Sequence, residues 1–322
     1  MSQGQFLSNC AADTLSNAAE SLKSGALVAF PTETVYGLGA DASNEKSVAR
    51  IYEVKGRPQD HPLILHIASI NEITYWASSV REYALALARE FWPGPMTLIV
   101  KRSENAKDFV TGGQDTVGLR VPDHALALEL LKECKKIGVH AIAAPSANRF
   151  GHVSPTTAAA VREEIGTYLS EQDLILDGGA AQVGLESTII DCTGDAPQIL
   201  RPGAITQPMI EKCTGMHINE NSVSDIRVSG SLEKHYSPNA QVLLDVQATS
   251  GQGFIAPADI ATPPGAIRLA SPRTTDEFAQ ILYAALRDGD SQGLTTIAVI
   301  QPSGDGIAIA IRDRLMRASK GR

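Results

Sequence analysis

Basic side chains stand beside glycine and proline at the end of a predicted helix, where they could bind an anion. Lys55 and Arg57 flank Gly56 at the end of the helix predicted near 44–55. A phosphate group there would meet both a point charge and a planar fork of donors. A terminal lysine also stabilises the helix dipole, and glycine followed by Pro58 ordinarily ends a helix. Taken alone, this pair is more typical of a helix end than of a phosphate site.

The segment 31–39, PTETVYGLG, follows an apolar strand predicted over 26–30. Its hydroxyls, its carboxylate and its two glycines would let backbone and side-chain donors approach a small ligand closely. A tight turn whose threonines cap the local backbone explains the same residues equally well. The segment is therefore a moderately specific candidate site.

A loop that contains Ser146 and Asn148 precedes a helix predicted near 155–165. Ser154 is a suitable N-cap and Pro155 a suitable first helical residue, so free amides and the positive end of the dipole would point toward whatever lies before the helix. Such a helix end suits phosphate. A structural cap would need Ser154 alone, so the added Ser146 and Asn148 favour a functional interpretation.

Several further polar residues lie within or beside apolar strands. His66 stands in the run LILHIA, where a histidine is more often a satisfied core residue than a catalyst. Arg120 stands in the run TVGLRV, where a charge needs a partner and a carboxylate ligand would be one. Ser187 lies at the start of a predicted strand and Arg201 at the end of another. Taken separately, each is typical of an ordinary loop.

Apolar runs alternate with helical patterns from residue 25 onward, which indicates an α/β fold. Several connections are too short for helical crossovers, so the sheet is expected to be mixed or partly antiparallel. The segment 220–240 loses apolar periodicity and is rich in serine and asparagine, as is typical of a linker. We therefore predict a catalytic domain over 1–219, this linker, and a smaller α/β domain over 241–322.

Composition limits the classes of function. The net charge is -8, from 36 acidic and 28 basic residues, so the whole surface does not attract polyanions. No segment approaches the roughly 20 apolar residues of a membrane span, and the N-terminus resembles no secretory signal. The four cysteines lie far apart without a C-x-x-C pair, which argues against zinc and disulfides. We expect a cytoplasmic protein without a membrane segment.

The common nucleotide signatures G-x-x-x-x-G-K-[ST] and a strand-to-helix G-x-G-x-x-G are missing from the sequence. In order along the chain, however, PTETVYGLG, KGRP, the strand histidine, LRVP, PSANRFG, SPT, LEST and LRPG closely resemble the YrdC-like threonylcarbamoyl-AMP synthase family. The resemblance covers residues 15–215, and its specificity rests on the ordered series. The KHYSP linker and the trailing α/β unit resemble the two-domain branch of that family.

The resemblance implies a fold and a reaction. The fold would be a twisted, mixed or antiparallel sheet flanked by helices, followed by a smaller Rossmann-like α/β domain. The enzyme would join L-threonine, bicarbonate and ATP into L-threonylcarbamoyladenylate and pyrophosphate, for the modification of an adenosine of tRNA. Mg²⁺ would accompany ATP, no residue is assigned as a metal ligand, and the product would pass to a tRNA threonylcarbamoyl-transferase complex.

The resemblance also implies residue roles, with Lys55 and Arg57 as the catalytic pair. L-Threonine would contact Thr34, His66, Arg120 and Ser187, with Arg120 on its carboxylate. ATP would contact Lys55, Arg57, His61, Thr116, Ser146, Asn148, Ser154, Arg201 and Tyr236. The chain departs from the family pattern at His61, where many members have asparagine, and at Ala144, where some offer a hydroxyl. Lys234 and Tyr236 would lie on a linker that closes over the nucleotide.

Two other functions stay open at this point. An RNA-binding or ribosome-assembly module could use the same basic residues, although the acidic net charge and the 5% aromatic content argue against it. Carbamoyl transfer in hydrogenase maturation involves a related domain, but the chain lacks paired C-x-x-C motifs and additional N-terminal domains.

Overall fold

Two β-sheets organise the chain, which the computed structural model describes over residues 5–7, 12–218, 224–230 and 235–321. The larger sheet has 11 strands. They are β1 Gln5–Leu7, β2 Val28–Phe30, β3 Gly37–Asp41, β4 Ile64–His66, β5 Ala77–Ser79, β6 Met96–Arg102, β7 Thr116–Arg120, β8 Ile142–Ala143, β9 Leu174–Leu176, β10 Thr188–Asp191 and β11 Gln198–Arg201.

The strand order of this sheet is β1-β9-β2-β3-β8-β4-β7-β6-β10-β11, with β5 beside β6. Parallel pairs such as β4–β7 and β6–β10 alternate with antiparallel pairs such as β2–β3 and β6–β7. The short connections between predicted strands indicated antiparallel pairs, because only antiparallel neighbours can be joined by tight turns. The prediction of a mixed sheet is confirmed.

Eight helices accompany the larger sheet within the described residues. They are α1 Ala12–Ser24, α2 Glu45–Lys55, α3 Ile73–Trp76, α4 Glu82–Phe91, α5 Asp108–Thr111, α6 Ala125–Lys136, α7 Ala158–Ile165 and α8 Gln207–Thr214. The α2 helix begins after Asn44, whose side chain accepts a hydrogen bond from the Ser47 amide, and ends at Gly56 in the left-handed conformation. Glycine tolerates that conformation, so Gly56 ends the helix as its position in the sequence predicted.

Two helix starts differ from expectation. The α7 helix begins at Ala158, and Thr157 is its cap because the Thr157 hydroxyl accepts from the Ala160 amide. The prediction that Ser154 is the N-cap is therefore wrong, since the Ser154 hydroxyl donates to the Glu186 carboxylate instead. The sequence predicts a helix near 124–137 opened by Asp123, whereas the α6 helix begins after His124.

The smaller sheet has four strands, all parallel, in the order β12-β15-β13-β14. These strands are β12 Gln241–Leu244, β13 Gly253–Ile255, β14 Ile267–Ala270 and β15 Thr296–Val299, and the accompanying helices are α9 Thr275–Ser291 and α10 Ile307–Ser319. A parallel sheet with one helical crossover, α9 between β14 and β15, and a final helix α10 agrees with the predicted Rossmann-like unit. No helix in the described part of the chain is both long and apolar enough to cross a bilayer.

The centre of the large sheet is closed to solvent. Residues 26–42, which include β2, the connecting turn and β3, are all buried. Gly39 in β3 shows why small residues are needed here, because a Cβ at this position would lie 2.6 Å from the Cγ2 of Ile142. The glycine-rich β3 was missed by the sequence analysis, since it lacks the alternation of apolar and polar residues typical of a strand.

One buried carboxylate joins three segments of this core. The Asp173 side chain is fully buried and accepts hydrogen bonds from the Leu27 amide at 2.7 Å and from Arg50 Nη2 at 2.6 Å. It also accepts from the Ser170 amide at 2.7 Å. Burial acts to raise the Asp173 pKa, but hydrogen bonds, first that from Arg50, bring it below its usual value.

We predict that Asp173→Ala lowers the free energy of unfolding by about 3 kcal/mol, because it leaves buried donors and a cation without a partner. Urea denaturation followed by circular dichroism measures the change. The control is Asp195→Ala, which removes an exposed carboxylate 3.0 Å from Arg81 and should leave stability nearly unchanged. Equal losses in the two variants would contradict the prediction.

Candidate functional site

A cavity that contains about 540 Å³ of empty space, part of it open to solvent, lies among the loops at the ends of the central strands of the large sheet. Its walls come from segments far apart in sequence, and most of the polar wall residues are buried. The wall consists of residues 32 and 34–37, Arg57, Ile64, His66, Arg120, 144–146, 186–187, Arg201, 229–230 and 235–236.

Arg120 is buried in this wall and already has a carboxylate partner. Its Nη2 lies 2.7 Å from Glu33 Oε1 and donates to the Thr34 hydroxyl at 2.9 Å. The Arg120 Nε has no hydrogen-bond partner among the residues that the structure describes. The sequence analysis expected a ligand as partner and missed Glu33, although this carboxylate belongs to the PTETVYGLG segment.

His66 lies beside Arg120, because the two residues are paired in the parallel register of β4 and β7. Its ring meets the edge of Phe30 at a centroid distance of 5.7 Å. Burial, together with the positive charge of Arg120, lowers the pKa of His66 to about 3. The imidazole is therefore neutral near pH 7. Within the described residues its Nδ1 makes no hydrogen bond, so this atom is available to a ligand.

Arg201 and Ser187 form a second polar pair in the wall. Arg201 donates to the Ser187 carbonyl from Nε at 3.0 Å and from Nη2 at 2.9 Å, and Nη2 also donates to the Ser187 hydroxyl at 3.1 Å. The Arg201 Nη1 donates to the Ser229 carbonyl at 2.8 Å. The Ser187 hydroxyl is 2.8 Å from that of Thr97, so its position is fixed from two sides.

Lys55 and Arg57 occupy different positions although both are buried. Arg57 faces the cavity, and its Nη2 donates to the Pro62 carbonyl at 3.0 Å and to the Ser229 hydroxyl at 3.2 Å. Lys55 lies behind the wall, where its Nζ donates to the carbonyls of Ser146 and Asn148, each at 2.6 Å. Burial and the charge of Arg57 lower the pKa of Lys55. Lys55 therefore fixes the loop that carries Ser146.

The other residues predicted for ATP are distributed around the cavity. Ser146 and Tyr236 line it, whereas Asn148 and Ser154 are buried outside its lining. The remaining two also lie outside the lining. His61 contacts the edge of the Phe150 ring at 5.5 Å, and Thr116 lines a separate small pocket with Arg227 and Val228.

Several wall residues were given no role by the sequence analysis, among them four polar or linker residues. Ser229, Gly230 and His235 belong to the linker, and Glu186 precedes Ser187. Burial, together with the charge of nearby Arg57, lowers the pKa of His235. The KHYSP motif contained a signal for His235 and the LEST motif one for Glu186, but no local pattern marked Ser229. Lys234 lies outside the described residues.

Comparison with known proteins gives the chain a family. The Sua5–YciO–YrdC family model, described as "Telomere recombination", matches residues 20–203. A second model, "Threonylcarbamoyl-AMP synthase, C-terminal domain", matches residues 205–320.

This chain belongs to the Sua5–YciO–YrdC family.

Relatives of this family match almost the entire chain. The threonylcarbamoyl-AMP synthase of Pyrococcus abyssi is 39% identical, with 94% of this chain and 93% of the relative covered. That of Bacillus subtilis is 38% identical, with 96% and 93% covered. The crystal structure of P. abyssi Sua5 complexed with L-threonine superposes with a TM-score of 0.87 at 36% identity, covering 99% of this chain and 98% of that one. The predicted family and fold are thus confirmed.

We predict that His66 makes the protein less stable toward acid. Its pKa is about 3 in the folded protein against an ordinary value of 6.5, so the unfolded chain binds more protons between these values. The neutral, buried His66 therefore does not reduce the free energy of unfolding above pH 6.5. As the pH falls from 6.5 toward 3, that free energy decreases because only the unfolded chain protonates this histidine. Between pH 6 and 5, His66→Gln should lose roughly 1 kcal/mol less stability than the parent, measured by urea denaturation at each pH. Identical pH dependence in both proteins would contradict the assignment.

Proposed function

We propose that this chain is a threonylcarbamoyl-AMP synthase, which converts L-threonine, bicarbonate and ATP to L-threonylcarbamoyladenylate and pyrophosphate for tRNA modification. One observation carries the proposal. Arg120, Thr34 and His66 line the same cavity as Arg57 and Arg201, so a carboxylate and a phosphate could be bound side by side. The match of the whole chain to relatives of this name supports the same reaction.

The threonine end of the cavity is Arg120 with Thr34, His66 and Ser187. The unpartnered Arg120 Nε can donate to the threonine carboxylate, while Glu33 holds the guanidinium in place. Neutral His66 can accept or donate one hydrogen bond without adding charge. The superposed P. abyssi Sua5 is complexed with L-threonine, which supports L-threonine as the substrate here.

The ATP end is formed by Arg57, Arg201 and Ser146. Arg57 Nε is buried and makes no hydrogen bond to any residue in the described ranges, so it can meet a phosphate oxygen. Lys55 contributes by holding Ser146 and Asn148, and its buried charge adds to the positive potential. For the remaining predicted contacts, we propose that Ser154 and Tyr236 act at the cavity edge and that His61 and Thr116 join only after local movement.

The reaction needs no covalent enzyme intermediate. The neutral threonine amine attacks the bicarbonate carbon, a C–N bond forms and water leaves. An oxygen of the resulting carbamate then attacks the α-phosphorus of ATP, and the bond to the β-phosphate oxygen breaks to release pyrophosphate. Carbamates are unstable in bulk water, which explains why the cavity walls are buried. Arg57 and Arg201 stabilise the charge that develops on the phosphates.

ATP enters this scheme as its Mg²⁺ complex. Glu186 is the carboxylate in the wall, and its oxygens already accept from Ser154, Tyr283 and Arg314. Across the ranges that the structure describes, no group of three or more histidine, cysteine, aspartate or glutamate side chains could hold a metal. Mg²⁺ bound mainly by phosphates and water fits this environment, because it retains several waters in nucleotide sites.

Neither alternative function is favoured. An RNA-binding module needs an exposed basic surface, whereas Arg57, Arg120 and Arg201 are buried. For hydrogenase maturation, the sequence lacks paired C-x-x-C motifs, and the relatives that match the whole chain are named threonylcarbamoyl-AMP synthases. We further propose a cytoplasmic location, transfer of the product to a tRNA threonylcarbamoyl-transferase complex, and the division into 1–219, 220–240 and 241–322.

The direct test is to incubate the purified chain with ATP, Mg²⁺, bicarbonate and L-threonine. Pyrophosphate and an adenylate carrying a threonylcarbamoyl group should both appear, the first in a coupled assay and the second by mass spectrometry. Replacing L-threonine by L-serine removes the methyl group and tests selectivity. Pyrophosphate release that does not depend on threonine or bicarbonate would refute the proposal.

The two ends of the cavity should respond to different substitutions. We expect Arg57→Ala to reduce pyrophosphate release by roughly a hundredfold or more, because a charge at the phosphates is lost, while threonine still binds in calorimetry. Arg120→Ala should abolish threonine binding. The control Arg89→Ala removes an exposed guanidinium paired with Glu82 and should match the parent. If Arg57→Ala lost threonine binding but kept normal turnover, the assignment of Arg57 to the ATP end of the cavity would be wrong.

A further inference from the structure

We propose that Arg314, a residue of the α10 helix that does not line the cavity, positions the linker residue Tyr236 for the reaction, through its own contact with the ring and through its bond to Glu186. The inference rests on the proposed function and adds to it a positioning residue from the small α/β unit. Arg314 is fully buried, which is rare for an arginine and costly unless every donor is paired.

The Arg314 guanidinium reaches from the small unit into the catalytic one. Its Nε donates to Glu186 Oε2 at 3.0 Å, and its Nη2 donates to the Pro202 carbonyl at 3.0 Å. Its Nη1 donates to Asp313 on its own helix at 2.6 Å. Two of these three partners therefore belong to segments that form the cavity.

Those two partners stand next to residues of the proposed site. Glu186 precedes Ser187, and Pro202 follows Arg201. Ser187 and Arg201 are themselves joined by the hydrogen bonds from the Arg201 guanidinium to the Ser187 carbonyl and hydroxyl. From outside the cavity, Arg314 thus forms a hydrogen bond to the chain neighbour of Ser187 and to that of Arg201.

The same guanidinium also supports the linker. Its Cζ lies 5.3 Å from the centre of the Tyr236 ring, within cation–π range. On the small unit, Tyr283 stacks on Tyr236 with centroids 5.8 Å apart and an interplanar angle of 21°. The Tyr283 hydroxyl donates to Glu186 Oε2 at 2.9 Å. Arg314 and Tyr283 therefore connect the linker ring to the Glu186 carboxylate.

Tyr236 needs such support because its backbone is in an unfavourable conformation. Its φ is 61°, a value that residues other than glycine rarely adopt. The Tyr236 hydroxyl is buried at the cavity wall, and among the described residues it has no hydrogen-bond partner. The arrangement therefore holds a free hydroxyl where a bound nucleotide could meet it.

A second contact attaches the small unit independently of Arg314. Arg287 on α9 donates to Glu164 Oε2 at 3.0 Å and to the Val153 carbonyl. In addition, Gly184 packs so closely on α9 that a Cβ there would lie 2.5 Å from the Ala279 carbonyl oxygen. Replacing Arg314 should therefore disturb the position of Tyr236 without separating the two units.

A double-mutant cycle tests the inference, with kcat/KM for ATP measured by threonine-dependent pyrophosphate release. Arg314→Met and Tyr236→Ala should each lower kcat/KM about tenfold or more. The kcat/KM of the double variant should be within about twofold of that of the less active single variant. This non-additivity is expected if Arg314 acts through Tyr236. In the matched control Arg312→Met, the replaced arginine lies on the same helix and donates to the Pro302 carbonyl of the small unit, so kcat/KM should be unchanged.

Losses that multiply in the double variant would overturn the inference, as would an Arg314→Met variant with the kcat/KM of the control. If circular dichroism shows that Arg314→Met is unfolded, Arg314→Lys replaces it in the double-mutant cycle with the same criteria. Lysine keeps the positive charge but lacks the planar guanidinium. An inactive parent chain would contradict the proposed function itself. Multiplying losses in an active chain would contradict only the role of Arg314.

Discussion

Positive charge buried around one cavity is the constraint on which the rest of the structure depends. Arg57, Arg120 and Arg201 all face this space, and removing a guanidinium from water is costly unless each donor finds an acceptor. The fold supplies Glu33 to Arg120 and mostly main-chain carbonyls to the other two. Carbonyls satisfy the donors without neutralising the charge. The cavity therefore keeps a positive potential that an anionic ligand can neutralise.

The mixed sheet brings these residues together from distant parts of the chain. Parallel pairing of β4 with β7 sets His66 beside Arg120, and parallel pairing of β10 with β6 brings Ser187, which immediately precedes β10, within hydrogen-bond distance of Thr97. Loops at strand ends are free to differ in sequence while the sheet fixes where they begin. The geometry of the proposed site thus follows from strand register more than from the conformation of any single loop.

The sequence predicted most of the element order and much of the cavity wall, but not the long-range pairs. Apolar runs and Gly56 indicated strands and a helix end because both signals are local. Whether Lys55 faces the cavity or the adjoining loop depends on tertiary packing, which no local pattern records. The pairs of Glu33 with Arg120 and of Glu186 with Arg314 join residues far apart in the chain, so only the folded structure reveals them.

The burial of residues 26–42 also determines how a ligand reaches the cavity. This segment cannot separate from the sheet without breaking its centre, so on that side the wall stays closed while the protein is folded. The linker residues 229–230 and 235–236 are among the wall residues that lie outside the strands of the sheet. The described wall residues that are not anchored by strand pairing therefore form the side on which access to the cavity can change without breaking the sheet.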